Sequence, residues 1–188
     1  MRYYPIFLDV RGRHAVVVGG GKVAERKVRK LLRAGAVVRV ISPELTPGLD
    51  RLAREHKIQL KRRRFRKGDL GRRRANKRSP LLVFAATDDP AAQFAVRRDA
   101  RAAGALVNVA NNAADCDFIV PASFTRRNLH VAISTSGTDP AFARLLRQRL
   151  SVEIKKIKRQ RSKGKNQKWK TKPGTPIRLG RWWQSRGS

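Results

Sequence analysis

The segment His14-Ala15-Val16-Val17-Val18-Gly19-Gly20-Gly21-Lys22-Val23-Ala24 constrains this chain more than any other. A β-branched apolar run that stops on glycines predicts a buried strand and a tight turn. The next dozen residues have helical spacing. Ala24, Val28, Leu31 and Leu32 share one face, Arg26, Lys27, Arg29, Lys30 and Arg33 lie elsewhere, and Gly35 ends the run. Residues 37–41 supply a second strand, which completes a βαβ unit. Within it, Gly19, Gly20, Gly21, Lys22, Val23 and Ala24 fit G-x-G-x-x-A. Glycines at that corner let the backbone approach a pyrophosphate, which then rests on free amides at the positive end of the helix. The same glycines would also serve a bare strand-to-helix corner, so the pattern draws its weight from the βαβ setting. The acidic residue that usually ends the second strand and binds ribose hydroxyls is replaced by Ser42-Pro43-Glu44, where Glu44 or backbone groups can stand in. The pattern therefore argues for a dinucleotide more firmly than for NAD over NADP.

The alternation continues beyond this unit. Residues 45–56 read as a helix, 58–60 as a short strand, 81–86 as a strand, 90–103 as a helix stopped by Gly104, and 105–109 as a strand. This predicts an α/β fold, a Rossmann-type parallel sheet with helices on both faces. Residues 118–121 and 129–134 are short strand candidates with little helix between them, suggesting a small dimerisation element. Asp139 and Pro140 form a helix start, and Phe142, Leu146, Leu150, Ile154 and Ile157 make one apolar stripe that carries a carboxyl-terminal helix toward a basic tail. The expected organisation is a cofactor-binding domain at 1–112, a dimerisation and substrate-cleft region at 113–157, and a basic tail at 158–188.

Charge enters here because 188 residues carry a formal net charge of +32. Residues 61–78 hold 11 basic groups and 1 acid, and 151–188 hold 13 and 1, whereas 79–150 hold 8 and 6. The excess thus sits outside the stretches that read as core. Residues 61–78 read as a basic loop, and the segment after Ile157, with Trp169, Trp182 and Trp183 among its cations, reads as a disordered tail or a grip for single-stranded nucleic acid. No apolar run reaches the ~18 residues of a spanning helix, and the first ten residues lack a secretory core, so a cytoplasmic protein without a membrane partner is expected. Cys116, the only cysteine, permits neither an internal disulfide nor a cysteine zinc cluster, and reads as a small buried hydrophobe. His14, His56 and His130 show no ligand spacing, so no metal site is expected. A short-chain dehydrogenase is excluded, because Tyr3 and Tyr4 precede the glycine turn and neither heads a Tyr-x-x-x-Lys pair.

Blocks along the chain then converge on one family. Tyr4-Pro5-Ile6-Phe7-Leu8, the run from Val18 through Lys27, Ala85-Ala86-Thr87-Asp88-Asp89, Val107-Asn108-Val109, Cys116-Asp117-Phe118-Ile119-Val120-Pro121-Ala122 and the run from Ala132 through Ala141 resemble precorrin-2 dehydrogenase. This is the amino-terminal dehydrogenase and ferrochelatase module of siroheme synthase. The resemblance implies NAD-dependent oxidation of precorrin-2, an anionic tetrapyrrole, to sirohydrochlorin by a homodimer with an entwined central region. It places cofactor contacts on Gly19, Gly20, Gly21, Lys22, Val23, Pro43, Glu44 and Thr87. It also places the family's acid–base aspartate, which is linked to metal insertion, at Asn111. An amide has no titratable proton near neutral pH and ligates metal poorly, so Asn111 can orient substrate but not exchange its proton, and ferrochelatase activity is expected to be weak or absent. Asp115 and Asp117 are candidate replacement carboxylates. Asp88 and Asp89 follow a strand's carboxyl end, as ligand groups or as caps of the next helix. Thr135 falls where some siroheme synthases are phosphorylated, within a loop suited to bonding its own backbone. Three readings stay open: the dehydrogenase, a catalytically impaired dinucleotide- or tetrapyrrole-binding protein, and a basic nucleic-acid-binding protein.

Overall fold

The computed structural model describes residues 3–71, 79–110 and 112–163. Its elements run β1 (His14–Val18), α1 (Lys22–Arg33), β2 (Val37–Ile41), α2 (Pro47–Arg54), β3 (Gln59–Lys61), β4 (Leu82–Ala85), α3 (Pro90–Ala102), β5 (Leu106–Val109), β6 (Ala122–Arg126), β7 (Leu129–Ile133) and α4 (Pro140–Lys163). The first five strands form one parallel sheet in the order β3-β2-β1-β4-β5, with the glycine-tipped strand at its centre. The expected Rossmann-type architecture is borne out.

Both faces of the sheet are covered, so the central strands β1 and β4 carry apolar residues at consecutive positions, Ala15 to Val18 and Leu82 to Ala85, rather than at alternate ones. Ala15 and Val17 point toward Val28 of α1 and Leu49 of α2, in a core shared with Val38, Val40 and Phe84. Val16 and Val18 point the other way, toward Val96 and Ala100 of α3, with Ile41, Val83 and Val107. Each fully buried valine or leucine contributes about 1.5–3 kcal/mol relative to exposure.

Three segments depart from expectation in detail. Helix α2 starts later than residue 45, because Thr46 caps it, accepting from the Leu49 amide at 3.3 Å, and Pro47 fits the first turn. The basic segment is more than a solvated loop: Phe65 and Leu70 pack into the α3-side core, and Asp69 is buried beneath Lys61 and Arg63. Residues 72–78 of that segment lie outside the described residues. Residues 118–121 are not a strand. The Phe118 ring stands edge-on to Phe84 at 5.4 Å and its carbonyl accepts from Asn108, so this stretch covers the sheet instead of joining one. Pro121 has no amide to donate, and pairing begins at Ala122.

Strands β6 and β7 form an antiparallel hairpin, Ala122 opposite Ile133, closed by a turn with Arg127 at φ 50°. Helix α4 packs on it and starts as read, with the Phe142 amide donating to Asp139 at 2.8 Å. Leu146 and Ile154 are half-buried, but Phe142, Leu145, Leu150, Val152 and Ile157 are exposed, as are Ile6 and Phe7. The helix continues to Lys163, and the rest of the tail lies outside the described residues. Among the described residues, no helix is long and apolar enough to cross a membrane.

Candidate functional site

The site forms where β1 ends. The Gly19 amide donates to Ile41 at 3.0 Å, which continues the β1–β2 ladder by one bond before the chain turns. Gly19 has φ 120°, and a β-carbon there would lie 2.1 Å from the Ala86 carbonyl oxygen. One on Gly20 would lie 1.8 Å from the carbonyl oxygen of Glu44. The two glycines are therefore clamped between the loops that follow β2 and β4. Gly21 differs, since a β-carbon there meets nothing within 4 Å. It is the N-cap of α1 and offers no side-chain cap, so the amides of the first helical turn have no side-chain partner from it.

The flanking loops hold their shape through named bonds. Ser42 donates its hydroxyl to the Glu44 carbonyl at 2.7 Å, and the Thr46 amide donates to Gly20 at 2.9 Å. Thr46 also donates to Glu25 at 2.5 Å, and Arg29 pairs with the same carboxylate, which together hold the Glu25 pKa below its ordinary value. Glu25 thus fastens the loop after β2 to the first turn of α1. On the other side, Thr87 accepts from the Asp89 amide at 3.3 Å, and its carbonyl accepts from Gln93 at 2.6 Å. Asp89 caps α3 through Ala91 and Ala92, which settles its role as a cap, whereas Asp88 stays exposed.

Gly19, Gly20, Gly21, Lys22, Val23, Pro43, Glu44 and Thr87 accordingly lie on the turn and the loops that flank it. Lys22, Val23, Pro43 and Glu44 are exposed around the open corner. A cradle with two occluded glycines, one open glycine and uncapped amides fits the pyrophosphate of a dinucleotide. Asn111 lies outside the described residues. Of the two candidate replacement carboxylates, Asp115 is paired with Arg97, while Asp117 accepts from the Val107 amide at 2.9 Å and from Arg101 at 3.1 Å. Both stitch the 113–117 segment to α3 and β5. Thr135 donates to the Asp139 carbonyl at 2.8 Å and accepts from the Asp139 amide, the self-bonded loop expected.

Residues 6–122 match the model of a family described as "Putative NAD(P)-binding". The chain belongs to this family. The resemblance to siroheme synthase is borne out beside it. Siroheme synthase of Nitrosococcus oceani is 44% identical over 154 residues, 82% of this chain and 31% of that protein. That of Methylobacillus flagellatus is 42% identical over 154 residues, 82% of this chain and 32% of its own length. The chain thus spans about a third of the length of these curated relatives. A solved structure, "SirC, precorrin-2 dehydrogenase", is 29% identical with a TM-score of 0.68, covering 80% of this chain and 71% of that one.

One group in this NAD(P)-binding chain escaped the sequence reading. Lys27 of α1 donates to the side-chain oxygen of Asn108 at 2.7 Å and lies over the Phe84 ring at 4.8 Å. Asn108 in turn donates to the Phe118 carbonyl at 3.0 Å and to the Cys116 sulfur at 3.4 Å. Burial, and after it the nearby Arg26 charge, lower the Lys27 pKa to about 8. The signal was present: Lys27 falls three residues after Ala24 and four before Leu31, on the edge of the apolar stripe, and Asn108 interrupts an apolar strand.

Proposed function

We propose that this chain is an NAD-dependent precorrin-2 dehydrogenase that works as a homodimer in the reducing cytoplasm. The observation that carries the reading is the glycine corner, where Gly19 and Gly20 are closed by backbone, Gly21 is open and α1 is uncapped. The likeness to the solved precorrin-2 dehydrogenase supports the choice of substrate. NAD, when bound, accepts the hydride that leaves the tetrapyrrole. The turn amides hold its pyrophosphate, Glu44 meets the ribose hydroxyls, and Lys22, Val23, Pro43 and Thr87 line the approach. Residues 1–112 hold the cofactor and 113–157 form the dimer contact and substrate cleft. A free, buried thiol at Cys116 accords with a reducing compartment.

A second reading, an impaired binding protein, is favoured by one specific observation. Asp115 and Asp117, the nearest candidates to replace the family's aspartate, are both committed to arginines of α3. Metal insertion is therefore not assigned to this chain. Mixing the full chain with precorrin-2 and NAD should generate sirohydrochlorin absorbance, and absence of turnover with intact NAD binding would reject the dehydrogenase. Asn111→Asp decides between the readings: it is expected to raise kcat by roughly 10²-fold, the scale of one acid–base group. An unchanged kcat would show that Asn111 is not the limiting position.

A further inference from the structure

We infer that Lys27 is a positioning residue, tying the helix after the glycine turn to the 112–118 loop through Asn108 and Cys116. The inference rests on the cofactor reading for that turn. Its basis is an unbroken chain of contacts across three elements. From α1, Lys27 reaches the Asn108 oxygen on β5 at 2.7 Å. From β5, the Asn108 amide reaches the Phe118 carbonyl and the Cys116 sulfur at 3.0 and 3.4 Å. The sulfur also accepts from the Val109 amide at 3.1 Å, and its one proton can go to the carbonyl of Asn112 at 3.2 Å or of Val109 at 3.3 Å.

Two features separate this arrangement from ordinary packing. A methionine at position 27 would cover Phe84 equally well without placing an amine where burial disfavours its charge. Asn108, moreover, is one of only three buried polar side chains among the described residues, and both ends of its amide are used. A buried polar network that is fully satisfied fixes one arrangement, because each alternative leaves a donor or acceptor unpaired. The segment held in this way is the one directly after position 111, and it is held relative to the helix that begins at the cofactor turn.

Cys116 makes the test direct, since the chain has a single thiol. The full chain is treated with 5,5′-dithiobis(2-nitrobenzoate) at constant pH, and the rate of thiol release is compared between variants of matched helical content. Lys27→Met is expected to speed the reaction about tenfold by raising the population of an open loop, and Lys27→Arg, which keeps a donor, to restore most of the protection. Where Lys27→Met does not fold, Lys27→Leu, which also lacks a donor, carries the same comparison. In turnover, Lys27→Met should lower kcat while leaving the KM for NAD within twofold or so, a split that general loosening would not produce. A wild-type thiol rate in whichever of the Met and Leu variants folds would overturn the tie. The thiol assay needs neither NAD nor turnover, so failure of the dehydrogenase reading and failure of this inference give different results.

Discussion

A β-carbon on Gly20 would sit 1.8 Å from the Glu44 carbonyl oxygen, whereas one on Gly21 meets nothing within 4 Å. Two adjacent glycines therefore answer to different demands, Gly20 to packing and Gly21, under the proposed function, to a ligand. Gly20→Ala should lower stability in urea by about 2–4 kcal/mol, because the backbone it strikes cannot move aside cheaply. Gly21→Ala should stay within about 1 kcal/mol of wild type yet bind NAD roughly tenfold more weakly by fluorescence titration. Wild-type NAD affinity in Gly21→Ala would remove the open corner from the cofactor site. Lys27 has its own signature. Its amine is deprotonated at about pH 8 in the folded chain but only near 10.5 when unfolded. Between those values the unfolded chain binds the extra proton, so stability should rise with pH. The difference in unfolding free energy between wild type and Lys27→Met is expected to shift toward wild type from pH 8 to 10.5, with Arg26, Lys30 and Cys116 as the neighbouring charges.

At the scale of elements, Asp69 organises the stretch between β3 and β4. Its carboxylate accepts from Lys61 at 2.6 Å, from both terminal nitrogens of Arg63 at 2.7 and 2.6 Å, and from the Arg66 amide at 2.9 Å. These bonds hold its pKa far below the usual carboxylate range. The stabilisation is complete above the unfolded pKa and fades as acid titrates the group. Asp69→Asn should cost about 1.5–3 kcal/mol at pH 7, since it removes the buried carboxylate that the partly exposed Lys61 and Arg63 share, and the gap to wild type should narrow as pH falls below about 4. An equal gap at pH 7 and pH 3 in urea melts would contradict this. The same segment shows where sequence reading stops. β1, α1 and β2 are legible because period and glycine placement agree. Residues 61–78 read as a basic loop because cations dominate, yet Phe65 and Leu70 were the anchoring residues. Residues 118–121 are apolar enough for a strand, but an apolar run does not say whether it pairs or covers, and here Phe118 covers Phe84. The glycine corner was legible residue by residue. The Lys27–Asn108–Cys116 chain was not, since it joins positions 81 residues apart.

For the whole molecule, the proposed dimer and the net charge make opposing demands. Phe142, at 48% exposed, lies with Leu145, Leu150 and Val152 on a helix that presents apolar side chains to solvent. An uncovered apolar surface of this kind favours a second copy. Two chains of +32 repel, so association should tighten as salt rises, the reverse of phosphate-driven nucleic-acid binding. Sedimentation should show a dimer that strengthens with salt and is split by Phe142→Asp with Leu145→Asp. A monomeric wild type would overturn the dimer.

The strand order has a consequence for synthesis. β1 lies at the centre of the sheet, with β2 on one side and β4, some 65 residues later, on the other. While the chain emerges, β1 and β2 can pair early around α1, but the second edge of β1 stays open until residue 85 has left the ribosome. An apolar open edge is a template for pairing with another nascent chain. The stretch translated during that interval includes residues 61–78, with 11 cations and 1 acid. Like charge on neighbouring nascent chains opposes contact between their open edges during the interval before β4 closes the sheet.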